Sequence, residues 1–206
     1  YYPTRTEVNI LKNNATEIAK SLGSGVILIE YGSGALEKVR ILLDTLIEPV
    51  SLCAIDISEK QLKESANIIR KDYPNLEVLA VAADFTSKII IPKSKQKTKS
   101  KVAFFPGSTI GNFEPLNAKK FLKSICKTIG VNGKLLIGVD LKKDYKRMLK
   151  AYDDKNGITD AFNKNLLTRI NGDLGADFNQ NLFRHIVRFN TFEGRIEMHL
   201  ESCIDQ

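Results

Sequence analysis

Short apolar runs alternate with longer helical patterns along the first two thirds of the chain. In one helical pattern, residues 35–47, apolar side chains recur at positions 36, 39, 42, 43 and 46, the spacing of one helix face. A repeated strand–helix–strand order requires right-handed crossovers and a parallel sheet covered on both faces. The sequence therefore predicts a doubly wound, mostly parallel α/β fold. The predicted strands are 26–32, 51–58, 76–85, 101–107 and 133–141, and the predicted helices between them are 35–47, 59–73 and 115–130.

The pattern changes after residue 141. Residues 144–154 and 158–175 read as consecutive helices, and residues 184–190 and 195–203 read as strands joined at a hairpin near Glu193 and Gly194. We predict one domain over residues 1–206, with a core at about 24–142, a helical insertion at about 143–185 that caps the ligand-binding edge of the sheet, and C-terminal strands at about 186–203. Because the chain begins with Tyr1 rather than Met, we expect a fragment.

Charge and hydropathy argue against nucleic-acid binding and membrane insertion. The net charge is +7, but five lysines fall in the polar stretch 92–101, which contains no aromatic residue. This stretch is typical of a solvated loop, whereas nucleic-acid surfaces combine a structured basic face with stacking aromatics. No apolar run approaches the roughly 18 to 20 residues that a membrane span needs. We predict a cytoplasmic protein that binds neither nucleic acid nor membrane.

The cysteines and histidines indicate neither a disulfide scaffold nor a metal site. Cys53, Cys126 and Cys203 are odd in number and far apart, and His185 and His199 have no partner at metal-ligand spacing. We expect each cysteine to behave as a small hydrophobic residue.

A glycine turn follows the first strand. Gly32 and Gly34 stand at the head of a helix, and Asp56 ends the second strand, where an acidic side chain can accept from both hydroxyls of a ribose. Asp84 and Phe85 end the third strand, where a carboxylate could accept from an exocyclic amine and a backbone N–H could reach a purine nitrogen. This pattern predicts a nucleoside site at the carboxyl ends of the strands.

The residues after the turn bear on what the nucleoside carries. A dinucleotide fingerprint has a small residue where this chain has Glu37, so a pyrophosphate fits poorly. An adenosine joined to an amino acid through sulfur, S-adenosylmethionine, suits the site better, with Lys38 facing the methionyl carboxylate. The alternatives are that Asp56 is a helix N-cap and that Lys38 is a solvated surface charge.

The stretch "KVAFFPGSTIGNF" (101–113) begins as a buried strand and runs into a poor strand and helix former. Gly107 and Gly111 allow positive φ or a close approach of the backbone to another molecule, and Asn112 adds a short polar group. An ordinary strand-to-helix turn with Asn112 as the helix cap explains the same residues.

Seven stretches of the chain resemble the histidine-specific, S-adenosylmethionine-dependent methyltransferases of ergothioneine biosynthesis. These enzymes methylate the α-amino group of histidine three times to give a betaine. The resemblance implies a class I (Rossmann-like) methyltransferase fold. The stretches are "YYPTRTE" (1–7), "YGSGALEK" (31–38), "ADF" (83–85), "FFPGSTIGNF" (104–113), "GVDLKKD" (138–144), "AYDDKNGITDAFNKNLL" (151–167) and "RIEMHL" (195–200).

Carried over position by position, the resemblance also implies a set of site residues. The substrate residues are Tyr2, which approaches the imidazole, and Asn112 and Tyr152, which hold the carboxylate. The family continues past position 206 with a Glu and a Ser that read the imidazole, and it has residues ahead of "YYPTRTE" that help to cover the amine. The cofactor residues are Gly32, Lys38, Asp56, Asp84 and Phe85.

Methyl transfer from a sulfonium is an in-line displacement that depends mainly on positioning, and the sequence identifies no general base. Three alternatives stay open. Close relatives of the family methylate other amines, such as a prenylated tryptophan. From other classes come a nucleic-acid-binding or nucleic-acid-modifying protein and a cofactor-binding module without turnover.

Overall fold

A computed structural model describes residues 2–34 and 36–204, and the side chains of residues 2 and 3 lie outside this description. The chain forms two compact units, Tyr1–Asp140 and Leu141–Gln206.

The first unit is a five-stranded, all-parallel sheet with helices. Its strand order is β3-β2-β1-β4-β5, so the chain winds in one direction from β1 to β3 and in the other from β4 to β5. This order confirms the predicted doubly wound fold and places the switch point between β1 and β4. The elements are α1 (Tyr2–Leu22), β1 (Val26–Tyr31), α2 (Leu36–Leu43), β2 (Ser51–Asp56), α3 (Glu59–Asp72), β3 (Glu77–Ala82), β4 (Ser100–Phe105), α4 (Pro115–Ile129) and β5 (Lys134–Ile137).

Alternate residues of the central strands feed two cores, because successive strand side chains point to opposite faces of the sheet. One core joins side chains such as Leu28 and Phe104 to residues of α1, α2 and α3. The other joins Ile29 and Phe105 to residues of α4. Both faces of the sheet are therefore covered, as the nearly continuous apolar runs of β1 and β4 predict.

The N-terminal helix α1 was not predicted from the sequence. Its buried residues Val8, Leu11, Ala19 and Leu22 line one face, and a periodicity test over 8–22 would have found this stripe. Several predicted elements are longer than the observed ones. The helix predicted over 35–47 ends at Leu43, and the strand predicted over 133–141 has only four residues.

The predicted lysine loop is mostly loop, but its last two residues begin β4. The side chain of Lys101 donates to the Thr128 carbonyl at 3.0 Å, so this lysine has a structural partner.

The cysteine prediction holds for Cys53, which is buried, and is wrong for Cys126 and Cys203, which are exposed on α4 and just after the last strand. The number and spacing of the cysteines do not show which of them face solvent.

The second unit contains two helices and a hairpin, as the sequence predicts. The antiparallel pairing runs from Phe183 opposite Ser202 to Asn190 opposite Arg195. Gly194 has φ 68°, which fits the turn. None of the helices in the described part of the chain is long and apolar enough to cross a membrane. The elements of this unit are α5 (Tyr145–Tyr152), α6 (Ile158–Leu174), β6 (Phe183–Asn190) and β7 (Arg195–Ser202).

Candidate functional site

The glycine turn after β1 is hydrogen-bonded to the end of β2. The backbone N–H groups of Gly32 and Ser33 both donate to the Ile55 carbonyl, at 2.9 and 3.1 Å. Gly32 has φ 82°, a conformation that L side chains rarely adopt, and a Cβ there would lie 3.7 Å from Cε1 of Phe85. Gly32 and Phe85 are therefore neighbours, although they are far apart in sequence.

Asp56 and Asp84 lie at the carboxyl ends of β2 and β3. Oδ1 of Asp56 accepts from the Ser58 backbone N–H at 2.9 Å. The N-cap of α3 is Ser58, so Asp56 does not occupy the cap position that was the alternative interpretation. Oδ1 of Asp84 accepts from the hydroxyl and the backbone N–H of Thr86, at 2.7 and 2.8 Å. These two hydrogen bonds lower the pKa of the exposed Asp84, because they stabilise its ionised form.

Phe85 belongs to an aromatic cluster beneath the glycine turn. Its ring centroid lies 5.7 Å from those of Phe105 and Phe121. Tyr31 is 4% exposed and meets Phe121 edge-on at 5.7 Å, so it packs in the core on the α4 side of the sheet. The cluster gives Phe85 a fixed position next to Gly32, as a wall for a planar base requires.

Lys38 is buried, which contradicts the interpretation of a solvated surface charge. It is 6% exposed, and its Nζ lies 2.5 Å from Oε2 of Glu7 on α1. The same carboxylate accepts from the backbone N–H of Gly107 at 2.8 and 3.0 Å. Sequence reasoning did not identify Glu7, because partners 31 and 100 positions away leave no local periodicity.

The segment after β4 turns sharply at the switch point. Gly107 and Ser108 have φ 86° and 56°, and the Ser108 hydroxyl accepts from the backbone N–H of Asp140 at 2.9 Å. A short 3-10 turn, Thr109–Asn112, follows, and Asn112 is exposed at its end. The N-cap of α4 is Glu114, so Asn112 is not the helix cap that was considered as the alternative.

A buried carboxylate on β1 was also missed. Glu30 is 1% exposed, and its Oε2 accepts from the Ser33 hydroxyl at 2.7 Å. Burial raises the pKa of Glu30 to about 7, although the Ser33 hydrogen bond and the charge of Lys38 act in the opposite direction. The signal in the sequence was one acidic residue inside the apolar run 26–32, which we counted only as strand.

Two predicted site residues remain, Tyr152 and Tyr2. Tyr152 ends α5 in the second unit, where its backbone carbonyl is 2.9 Å from Nε2 of His185. The Nδ1 atom of the same imidazole is 3.0 Å from the side-chain nitrogen of Asn163. In the neutral tautomer with its proton on Nε2, this imidazole donates to the Tyr152 carbonyl and accepts from the Asn163 amide. The side chain of Tyr2 falls outside the described residues, so its predicted contact with the imidazole of the substrate stays a prediction.

Comparison with known proteins identifies the family. The profile described as "Histidine-specific methyltransferase, SAM-dependent" matches residues 1–206, the whole of this chain. The chain belongs to this methyltransferase family. This result confirms the resemblance seen in the seven sequence stretches.

Two curated relatives of this methyltransferase are similar over most of the chain. The histidine N-alpha-methyltransferase of Mycolicibacterium smegmatis is 39% identical over 206 residues, which cover 98% of this chain and 63% of that protein. Ergothioneine biosynthesis protein 1 of Neurospora crassa is 35% identical over 179 residues, which cover 85% of this chain and 20% of that protein. The chain thus spans less than two thirds of the length of either relative.

A solved structure supports the fold alone. The structure of a possible exported protein from Bordetella parapertussis matches with a TM-score of 0.51 at 12% identity, covering 65% of this chain and 42% of that one.

The first unit of this chain fits the family's cofactor, S-adenosylmethionine. The turn at Gly32 leaves a backbone surface without a side chain next to the ring of Phe85. Asp56 ends β2, and Asp84 follows the end of the adjacent β3 by two residues. Lys38 supplies a shielded cation at the switch point. A ribose, a purine and a carboxylate each have a partner of the right chemistry among these residues.

Proposed function

We propose that this chain is part of an S-adenosylmethionine-dependent N-methyltransferase that acts on the α-amino group of L-histidine, in three successive transfers, within ergothioneine biosynthesis. The observation that carries the proposal is the family match over the whole chain. The Mycolicibacterium relative supports the acceptor atom, because its name specifies the α-nitrogen of histidine.

Five residues of the first unit hold the cofactor in this proposal. Asp56 accepts from the ribose hydroxyls, Asp84 accepts from the exocyclic amine of the adenine, and Phe85 packs against the ring. Gly32 lets the backbone approach, and Lys38 binds the methionyl carboxylate. These roles follow from acceptor, donor and apolar chemistry at the carboxyl ends of parallel strands.

The substrate is held by its carboxylate in this proposal. Asn112, at the exposed end of the 3-10 turn after β4, and Tyr152, at the end of α5, each supply a hydrogen-bond donor. Tyr2 approaches the imidazole.

S-adenosylmethionine supplies an electrophilic methyl group on its sulfonium sulfur. As the new nitrogen–carbon bond forms, the sulfur–carbon bond breaks and S-adenosylhomocysteine leaves. The α-amino group must be neutral to attack, so a proton passes to water before each transfer. Holding the nitrogen about 3 Å from the methyl carbon contributes roughly 7 to 11 kcal/mol, so the chain acts mainly by positioning its two ligands.

Calorimetric titration of the purified protein with S-adenosylhomocysteine, then with histidine, tests the proposal. We expect the thioether to bind first and histidine to bind to the loaded protein. Mass spectrometry of a reaction with S-adenosylmethionine should then detect mono-, di- and trimethylated histidine. Methylation of a prenylated tryptophan but not of histidine would overturn the substrate, and no binding of S-adenosylhomocysteine would overturn the enzyme class.

A further inference from the structure

The carboxylate of Glu7 joins three segments that are distant in sequence. It lies on α1, it accepts from Nζ of Lys38 on α2 at 2.5 Å, and it accepts from the backbone N–H of Gly107 after β4 at 2.8 Å. The Lys38 and Glu7 side chains are only 7% and 18% exposed. A shielded cation is costly without a partner, so Glu7 is what makes a buried Lys38 tolerable.

The position of this carboxylate is fixed by the backbone around it. A Cβ on Gly138 would overlap Oε1 of Glu7, so a side chain there would displace this carboxylate from its present position. The backbone N–H of Gly138 donates to the Phe105 carbonyl at 3.0 Å, which holds the chain there. A Cβ on Gly107 would lie 3.7 Å from Nζ of Lys38. Both charges are therefore held at the end of β4, beside the switch point.

The charges of this pair cancel. A ligand that carries only a carboxylate would be attracted by Lys38 and repelled by Glu7. A ligand that carries an α-ammonium beside its carboxylate offers a charge of the right sign to each partner. The methionyl end of the cofactor is such a zwitterion.

We propose that Glu7 is a specificity-determining residue, which neutralises Lys38 and makes the site select the zwitterionic aminocarboxylate end of the cofactor over a plain carboxylate. This inference rests on the proposed function, because it assumes that Lys38 faces the methionyl group. It adds Glu7, a residue of α1, to the cofactor site and gives the ion pair between Glu7 and Lys38 a role in ligand choice.

The test compares two ligands on the same proteins. S-adenosylhomocysteine and its desamino analogue, in which hydrogen replaces the α-ammonium, are titrated calorimetrically into the wild type and Glu7→Gln. We expect the wild type to prefer S-adenosylhomocysteine and the substitution to reduce this preference about tenfold, the effect of losing one partly screened charge. Glu7→Asp keeps the charge and should keep the preference. Glu17→Gln, the same change at an exposed position of α1, is the matched control and should alter neither affinity.

Thermal unfolding of the ligand-free proteins separates the ligand effect from stability. Glu7→Gln should lower the Tm because it leaves the Lys38 ammonium buried without its counter-charge, and adding Lys38→Met should recover part of the loss. The preference is a ratio within one variant, so a smaller folded fraction does not change it. If only the double variant Glu7→Gln/Lys38→Met is stable enough to titrate, it should also have lost the preference for S-adenosylhomocysteine over the desamino analogue.

An unchanged preference in Glu7→Gln, or in the double variant, would overturn the inference. An equal loss of affinity for both ligands, with an unchanged Tm, would overturn it as well. Failure of the wild type to bind S-adenosylhomocysteine would instead overturn the proposed function, so the two failures are distinguishable.

Discussion

Replacing Glu30 with Gln should stabilise the protein at neutral pH but not in acid. Burial raises the pKa of Glu30 from 4.5 to about 7. Below pH 4.5 the carboxyl group is protonated in the folded and the unfolded chain, and its ionisation has no effect on stability. Between pH 4.5 and about 7 the unfolded chain ionises while the folded chain retains the proton, so the free energy of unfolding falls as pH rises.

The size of the effect follows from the shift. Each pKa unit corresponds to about 1.4 kcal/mol, so the wild type should lose about 3 kcal/mol by this mechanism between the two pKa values. Glu30→Gln does not ionise, and its amide oxygen can still accept from the Ser33 hydroxyl. The stability of the variant relative to the wild type should therefore rise by about 1.4 kcal/mol per pH unit over this window and level off above it.

Urea unfolding followed by circular dichroism, at several pH values from 4 to 8, measures this difference. Glu59→Gln is a control of opposite sign, because a hydrogen bond from Lys63 lowers the pKa of the exposed Glu59. Its removal should not make the protein relatively more stable as pH rises. A difference between Glu30→Gln and the wild type that is flat with pH would refute the reasoning, since a carboxyl group with an ordinary pKa would give that result.

Asp56→Ala should weaken binding of S-adenosylhomocysteine by roughly 1.5 to 3 kcal/mol per lost charged hydrogen bond, measured by calorimetry with an unchanged circular dichroism spectrum; unchanged affinity would contradict the ribose role. Asn112→Ala should cost histidine roughly 1 to 3 kcal/mol and histidinamide much less, and equal losses in this two-substrate cycle would make the residue structural. Replacing the lysines of 93–97 with glutamine should leave cofactor affinity unchanged, whereas a steep salt dependence of activity would favour nucleic-acid binding. His185→Gln keeps a donor for the Tyr152 carbonyl and should keep the KM for histidine, whereas His185→Leu should raise it; equal KM values would separate this imidazole from the substrate site.

The parallel, doubly wound arrangement of the first five strands could be predicted because it depends on local periodicity. Alternating strand and helix patterns require parallel crossovers, and the carboxyl ends of those strands must then meet at one edge of the sheet. Asp56 and Asp84 could be placed there without coordinates, since each comes at the end of an apolar run. Phe85 could be placed there too, because it adjoins Asp84, but its position beside Gly32 and its packing partners could not.

Burial and long-range pairing were decided only by the tertiary structure. Lys38 is an ordinary charged residue in the sequence, and nothing local distinguishes an exposed lysine from one that is 6% exposed. The site also depends on Glu7 meeting Gly107, 100 positions away, and on the absence of a side chain at Gly138. Such contacts form where a helix crosses the ends of two strands, and crossing angles and strand ends are set by the packing of the whole unit. The sequence alone thus determined which strands end at the site, because periodicity specifies the buried faces of helices and strands. The tertiary structure decided which charges face each other there, because periodicity does not specify the distances between elements.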